Sequence, residues 1–258
     1  MKNMTDNSLA PALLRGLKVL ELLASEDTEL NLKSLSKRLE IPTPSLWRIL
    51  NVLRENGYAI FDAETKTYRL GFKFLYMGNV VMNRMGFRSQ ARNHLKRLMD
   101  LSGETAELSS RVKDQLILID QVEGPEAVRL FSRIGSAYPY FHATAPGKLY
   151  LAHMDGEKFN RVMDRMGLPK ITDYTLTDLQ TLASHLERVR KEGYAFDHQE
   201  MRIGVSRVAA PVYDRGGKIM ACLGIAGPSY RVTPKIHPKL GELAKKVAND
   251  LSEELEQL

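Results

Sequence analysis

Between positions 12 and 23 apolar residues fall at 13, 14, 17, 20, 22 and 23, among others, with Arg15, Lys18 and Glu21 between them. That is the spacing of a one-faced helix, and Pro11 suits its opening. Leu32, Leu35 and Leu39 mark a second helical face, which Pro42 is expected to break. Thr43 as N-cap and Pro44 at the first helical position predict a third helix reaching Asn56, with Gly57 as the left-handed residue that ends it. The period then shortens. Residues 58–61 and 67–70 are β-prone runs around the polar stretch 62–66, which reads as a hairpin, or wing. Helical spacing returns over 72–84 and over 87–101, the latter closed by Gly103.

Beyond Gly103 the texture turns to β-like runs. Residues 105–112 and 115–122 flank Lys113-Asp114 as an antiparallel hairpin, and 127–133 reads as a third strand. Residues 145–166 and 178–192 read as helices, the second ended by Gly193. Strands follow at 194–196, 205–213 and 218–226, the last two joined by the turn Asp214-Arg215-Gly216-Gly217, and a final helix covers 236–255. Strands and helices in this order imply an α+β domain with a mainly antiparallel sheet.

With 258 residues, 43% of them hydrophobic, the chain has core material for two modest domains or one large one. No apolar run approaches the roughly 18 residues of a membrane span, and residues 1–9 are polar without a signal-peptide core, so a cytoplasmic protein is expected. The single cysteine, Cys222, excludes an internal disulfide and sits in an apolar run, where it reads as a small core residue. The net charge of +6 permits a polyanionic partner. Residues 30–75 hold eight Lys or Arg against four Asp or Glu, so much of the excess lies on the three-helix segment.

Two helices joined by a tight turn, followed by a wing, match the helix-turn-helix arrangement, whose second helix enters the major groove of DNA. Lys66 and Arg69 on the wing are placed to reach phosphates. Two amphipathic core helices beside a surface hairpin would leave the same pattern. An enzyme acting on a small organic acid is the other competing reading, with Asp197, His198 and Glu200 as an acid/base set and the helix start at 145–148 as an anion holder. The chain has no G-x-S-x-G elbow, phosphate-binding loop or H-E-x-x-H pair. Its six histidines lack ligand spacing, so neither a cofactor nor a metal is expected, His142 and His153 being the nearest to a pair.

Three further stretches are distinctive: Phe141-His142-Ala143-Thr144-Ala145-Pro146-Gly147-Lys148, Gly193-Tyr194-Ala195-Phe196-Asp197-His198-Gln199-Glu200, and Gly204-Val205-Ser206-Arg207-Val208-Ala209-Ala210-Pro211. Together with the helix pair and Thr67-Tyr68-Arg69-Leu70-Gly71, they resemble the isocitrate-lyase-regulator (IclR) family of bacterial transcription factors from about Leu13 to Leu251. The resemblance implies a winged helix-turn-helix DNA-binding domain at 1–71, a linker helix at 72–86 and a GAF-like effector-binding domain at 87–258. It implies a homodimer or tetramer on double-stranded operator DNA, and a small organic effector that tunes DNA affinity. Thr43, Ser45 and Arg48 would contact DNA, with Arg48 on phosphate or guanine. Leu75, Val80, Val81 and Met82 of the linker are candidate dimer contacts.

Effector contacts carried over from the resemblance are Ala145, Pro146, Asp197, Val205 and Arg207, with Phe131 as an apolar wall. The chain departs from the family pattern in several places. Trp47 stands where histidine or tyrosine is frequent, and is expected to pack in the core. Lys66 replaces the wing's usual glycine at the cost of backbone strain. Arg207 replaces cysteine, serine or alanine. A buried guanidinium needs a partner, so Arg207 is expected either to pair with Asp197 or Glu200 or to bind an anionic, carboxylate effector.

Overall fold

The computed structural model describes residues 10–26, 28–113 and 115–257. The expectations on residues 1–9 and on Asp114 lie outside them. The chain divides into two compact units, the first ending at Arg84 and the second starting at Met85.

In the first unit, helices α1 (Pro11–Ser25), α2 (Leu32–Leu39) and α3 (Thr43–Glu55) pack over a three-stranded antiparallel sheet. Its strands are β1 (Leu30–Asn31), β2 (Ala59–Asp62) and β3 (Thr67–Leu70), in the order β1-β3-β2. The two-residue β1 has no signature in the sequence, being too short to show a period. Val19, Leu23, Leu35, Ile41, Leu46, Leu50 and Tyr68 close the core. Asn31 caps α2 by accepting the Ser34 N–H at 2.9 Å. Glu40, in the left-handed conformation, ends that helix, so Pro42 follows the stop instead of causing it. Pro42 is the cap residue of α3, and Thr43 and Pro44 are its first two helical residues, so the expected Thr43 cap is displaced by one position. Helix α4 (Lys73–Arg84) completes this unit and buries none of its residues.

The second unit is built on six strands, all paired antiparallel: β4 (Thr105–Val112), β5 (Gln115–Val122), β6 (Ala137–Tyr138), β7 (Ala195–His198), β8 (Val205–Tyr213) and β9 (Ile219–Pro228). Their order is β6-β5-β4-β9-β8-β7. One face, with Leu108, Val208, Ala210, Leu223 and Ile225, packs on α5 (Gly86–Ser102) and α9 (His237–Glu256) through Leu95, Leu98, Ala244 and Val247. Ala195, Ala209 and Cys222 join a second core with α6 (Ala145–Ala152), α7 (Gly156–Met166) and α8 (Leu179–Glu192). Burial on both faces is why β8 from Val208 to Val212, and β9, read as apolar runs.

Two expectations fail here. Residues 127–133 form no strand. Their backbone bonds to side chains of β4 and β5 instead, Leu130 O accepting from Thr105 Oγ1 at 2.6 Å and Ser132 exchanging bonds with the Gln121 amide. The expected helix 145–166 is two helices, because Asp155 caps a new one by accepting the Lys158 N–H at 2.8 Å.

Candidate functional site

In the first unit, α3 turns Leu46 and Leu50 inward and leaves Thr43, Trp47 and Arg48 exposed, with Ser45 half-buried. Trp47 is 53% exposed, which overturns its expected place in the core. It falls one turn after the exposed Thr43, at the edge of the stripe that Leu46 and Leu50 bury. The turn before α3 is held by Ser36, whose hydroxyl donates to Ile41 O at 2.7 Å and lies 3.3 Å from Thr43 Oγ1.

The wing is fixed by Asp62, which accepts the N–H groups of Glu64 and Thr65 at 2.8 and 3.0 Å. Those bonds hold the Asp62 carboxyl below the ordinary range. Lys66 takes φ of +58°, so the exchange of glycine for lysine does place a side chain in the left-handed region. Lys66 and Arg69 are exposed, and Arg69 lies 3.5 Å from Glu29.

In the second unit, Asp197 and Arg207 face each other across β7 and β8. The fully buried Asp197 accepts the Ala145 N–H through Oδ2 at 2.9 Å. A carboxylate thus already occupies the start of α6, where free N–H groups attract anions. Thr144 Oγ1 accepts the Gly147 N–H of the same turn, and a Cβ at Gly147 would collide with the Phe141 carbonyl, which is why small residues fill this loop.

Arg207 pairs with neither Asp197 nor Glu200 by hydrogen bond. Its Nε donates to Glu107 Oε2 on β4 at 3.2 Å, two strands away. The strand between them carries Gly224 opposite Glu107 and Ala226 opposite Arg207, so no bulk blocks the reach. Glu107 also accepts from Ser132 Oγ at 2.8 Å, and the guanidinium lies over the Tyr138 ring at 5.6 Å. Burial works against the Arg207 charge, but Glu107 and Asp197 outweigh it and hold the pKa above the usual arginine value. Burial pushes the Asp197 carboxyl up, with Arg207 opposing. Glu107 was not picked out from sequence; its only signal is an acid on a strand with small residues at the corresponding positions of β9.

Glu200 is engaged elsewhere. The fully buried Lys148 donates to Glu200 Oε1 at 2.5 Å and to Phe196 O at 3.0 Å. Burial pushes Glu200 up to about 7 even against the Lys148 ammonium. His198 Nδ1 lies 2.7 Å from Ser206 Oγ. Asp197, His198 and Glu200 are therefore tied to three different partners. His142 and His153 turn ring nitrogens to the carbonyls of Pro169 and Leu149, and among the described residues no three His, Cys, Asp or Glu side chains gather as a metal site.

A cleft of about 330 Å³ opens beside Arg207, lined also by Phe131, Ser132, Arg133, Tyr138 and Arg202. Of the expected effector residues, Phe131 and Arg207 line it. Pro146 and Arg207 border a separate void of about 10 Å³, room for a single water. Ala145 is buried against Asp197, and Val205 packs with Leu130 and Ala226. No helix of the described residues is long and apolar enough to cross a membrane.

Comparison with known proteins agrees with both halves of this geometry. Residues 12–63 match the IclR helix-turn-helix domain, and residues 79–253 match the bacterial transcriptional regulator IclR C-terminal domain. The HTH-type transcriptional repressor AllR of Escherichia coli K12 is 31% identical over 243 residues, covering 94% of this chain and 89% of AllR. An IclR transcriptional regulator of Alicyclobacillus acidocaldarius has the same fold at a TM-score of 0.81 and 26% identity, over 95% of this chain and 98% of that one. An IclR homologue from Microbacterium hydrocarbonoxydans, solved with 4-hydroxybenzoate, aligns over 96% of this chain and all of that one, at 20% identity and a TM-score of 0.76.

Proposed function

The chain belongs to the IclR family of bacterial transcriptional regulators, and from that premise we propose that it represses by binding a palindromic operator and releases it when a small organic carboxylate occupies the second unit. AllR is named a repressor, and the likeness to it over 94% of this chain supports repression. Such work is done in the cytoplasm, where the chromosome lies. The observation that carries the DNA reading is that α3 seals Leu46 and Leu50 into the core while leaving Thr43, Trp47 and Arg48 open. Thr43, Ser45 and Arg48 read the groove, and Lys66 and Arg69 neutralise phosphates from the wing.

Division of labour follows residues 1–71 for DNA, 72–86 as linker and 87–258 for effector. One short recognition helix reads only a few base pairs, so a two-fold dimer is needed, and the exposed apolar side chains of α4 supply a face for it. Tetramers form through the effector domains. Arg207 anchors the carboxylate and Phe131 walls the cleft, while Ala145 and Asp197 are bonded to each other in the buried structure outside its lining. Ligand alters operator affinity only by the difference in its affinity for two arrangements of the oligomer, and α4 transmits that difference.

The test is a gel shift with the DNA upstream of the chain's own gene. Binding should weaken steeply as salt rises, and Arg48→Ala should weaken it at least tenfold, with a shallower salt slope if Arg48 sits on phosphate. Addition of 4-hydroxybenzoate and related acids checks for release. Absence of any retained DNA at low salt would refute the assignment.

A further inference from the structure

The cleft beside Arg207 presents three arginines and no acid among its lining residues. On its floor Arg207 is 7% exposed and spends Nε on Glu107, while Nη1 has no hydrogen-bond partner. A buried donor left without a partner is costly, so the guanidinium keeps the capacity to take an acceptor in addition to Glu107. Exposed arginines at positions 133 and 202 line the same cleft, and neither makes an ion pair with a described residue. Glu107 offsets the charge of Arg207, while the two rim arginines have no acid among the residues lining the cleft.

One carboxylate satisfies the floor and leaves the rim unanswered. We propose that the cleft takes a small dicarboxylate, with one carboxylate held by Arg207 and the other, across the opening, by Arg133 and Arg202. This rests on the reading of Arg207 as the carboxylate anchor and adds a second anionic end to the ligand. The volume, about 330 Å³, lies at the low end of the range for small-molecule sites and fits a short chain or one ring between the two ends. Tyr138, under the Arg207 guanidinium, and Phe131 provide the apolar wall for that spacer. Inorganic phosphate, a mixture of monoanion and dianion at neutral pH, is too compact to engage floor and rim together.

Calorimetry on the full chain at fixed ionic strength tests this with acids matched in size: succinate against butyrate, adipate against hexanoate, terephthalate against 4-methylbenzoate, with inorganic phosphate as the compact control. At least one dicarboxylate should bind about tenfold more tightly than its monocarboxylate match, the scale of two exposed charge contacts. The double variant Arg133→Gln/Arg202→Gln changes only exposed side chains, so it should fold and lose that advantage, weakening the dicarboxylate about tenfold more than its monocarboxylate match. Equal affinity within every pair, phosphate binding as tightly as the best dicarboxylate, or a double variant that keeps the preference would each overturn the proposal. If monocarboxylates bind equally well and Arg207→Lys weakens them, the dicarboxylate inference falls while the carboxylate reading stands. If no acid of either charge binds while the uncharged adipamide does, both fall.

Discussion

Arg207 and His237 show how one buried side chain turns local sequence into a property of the whole unit. A guanidinium at 7% exposure is tolerable only with a counter-charge, and the chain supplies it from 100 residues earlier in sequence, through Glu107. His237 solves the same problem by staying neutral. Its ring sits 4.7 Å from that of Phe196 and 6.0 Å from that of His198, and burial holds its pKa down to about 4 from an ordinary 6.5, with Lys148 and Arg188 also opposing a charge there. The unfolded chain therefore takes up a proton near pH 6.5 that the folded chain refuses. The contribution of His237 to stability therefore falls as pH drops from 6.5 toward 4, opposite in sign to that of Glu200. His237→Phe should flatten that limb by up to about one proton, read as the pH dependence of the urea midpoint. An unchanged slope would mean that His237 is not the group responsible.

At the scale of elements, α4 is a helix that buries none of its residues, although Phe74 meets Tyr58 ring to ring. Leu75 is 71% exposed and Val81 53%, on a helix that buries nothing. Apolar surface of that kind marks an association face. Leu75→Asp with Val81→Asp should convert a dimer to a monomer in sedimentation or light scattering, weaken operator binding, and leave helix content unchanged. A wild-type chain that is monomeric at micromolar concentration would defeat the idea. Element boundaries were legible where a side chain with one dominant role set them. Gly103 and Gly193 end α5 and α8 in the left-handed conformation, and β4 and β5 occupy the segments their alternation predicts. Residues 127–133 misled because their apolar spacing fits a strand whose ladder positions the Thr105 and Gln121 side chains already satisfy. At 145–166 the helical spacing runs on past Asp155, whose side chain caps a new helix.

The second unit as a whole carries its own reporter. Cys222 is the only cysteine in the sequence, 2% exposed on β9 with Sγ 3.9 Å from Pro146 O, and burial pushes its thiol far above the ordinary value. A thiol reagent should label the native chain only through opening of this unit, and completely in urea. A dicarboxylate or other bound acid should slow labelling in proportion to its occupancy. Rapid native labelling that ligand leaves unchanged would show that β9 is open to solvent.

Periodicity and turn chemistry alone determined the two-part α+β plan, the tight turn before α3 and the wing, because these depend on residues within a few positions of one another. Motif order across the chain added the family. Which side chains face outward or meet was decided only by tertiary structure. Trp47 lies on the open side of α3, Glu107 takes Arg207 from the nearer Asp197, and Lys148 claims Glu200. The physical reason is that charge pairing in a sheet depends on strand order and on the bulk of the strand between. With β9 placing Gly224 and Ala226 between Glu107 and Arg207, partners 100 residues apart become neighbours.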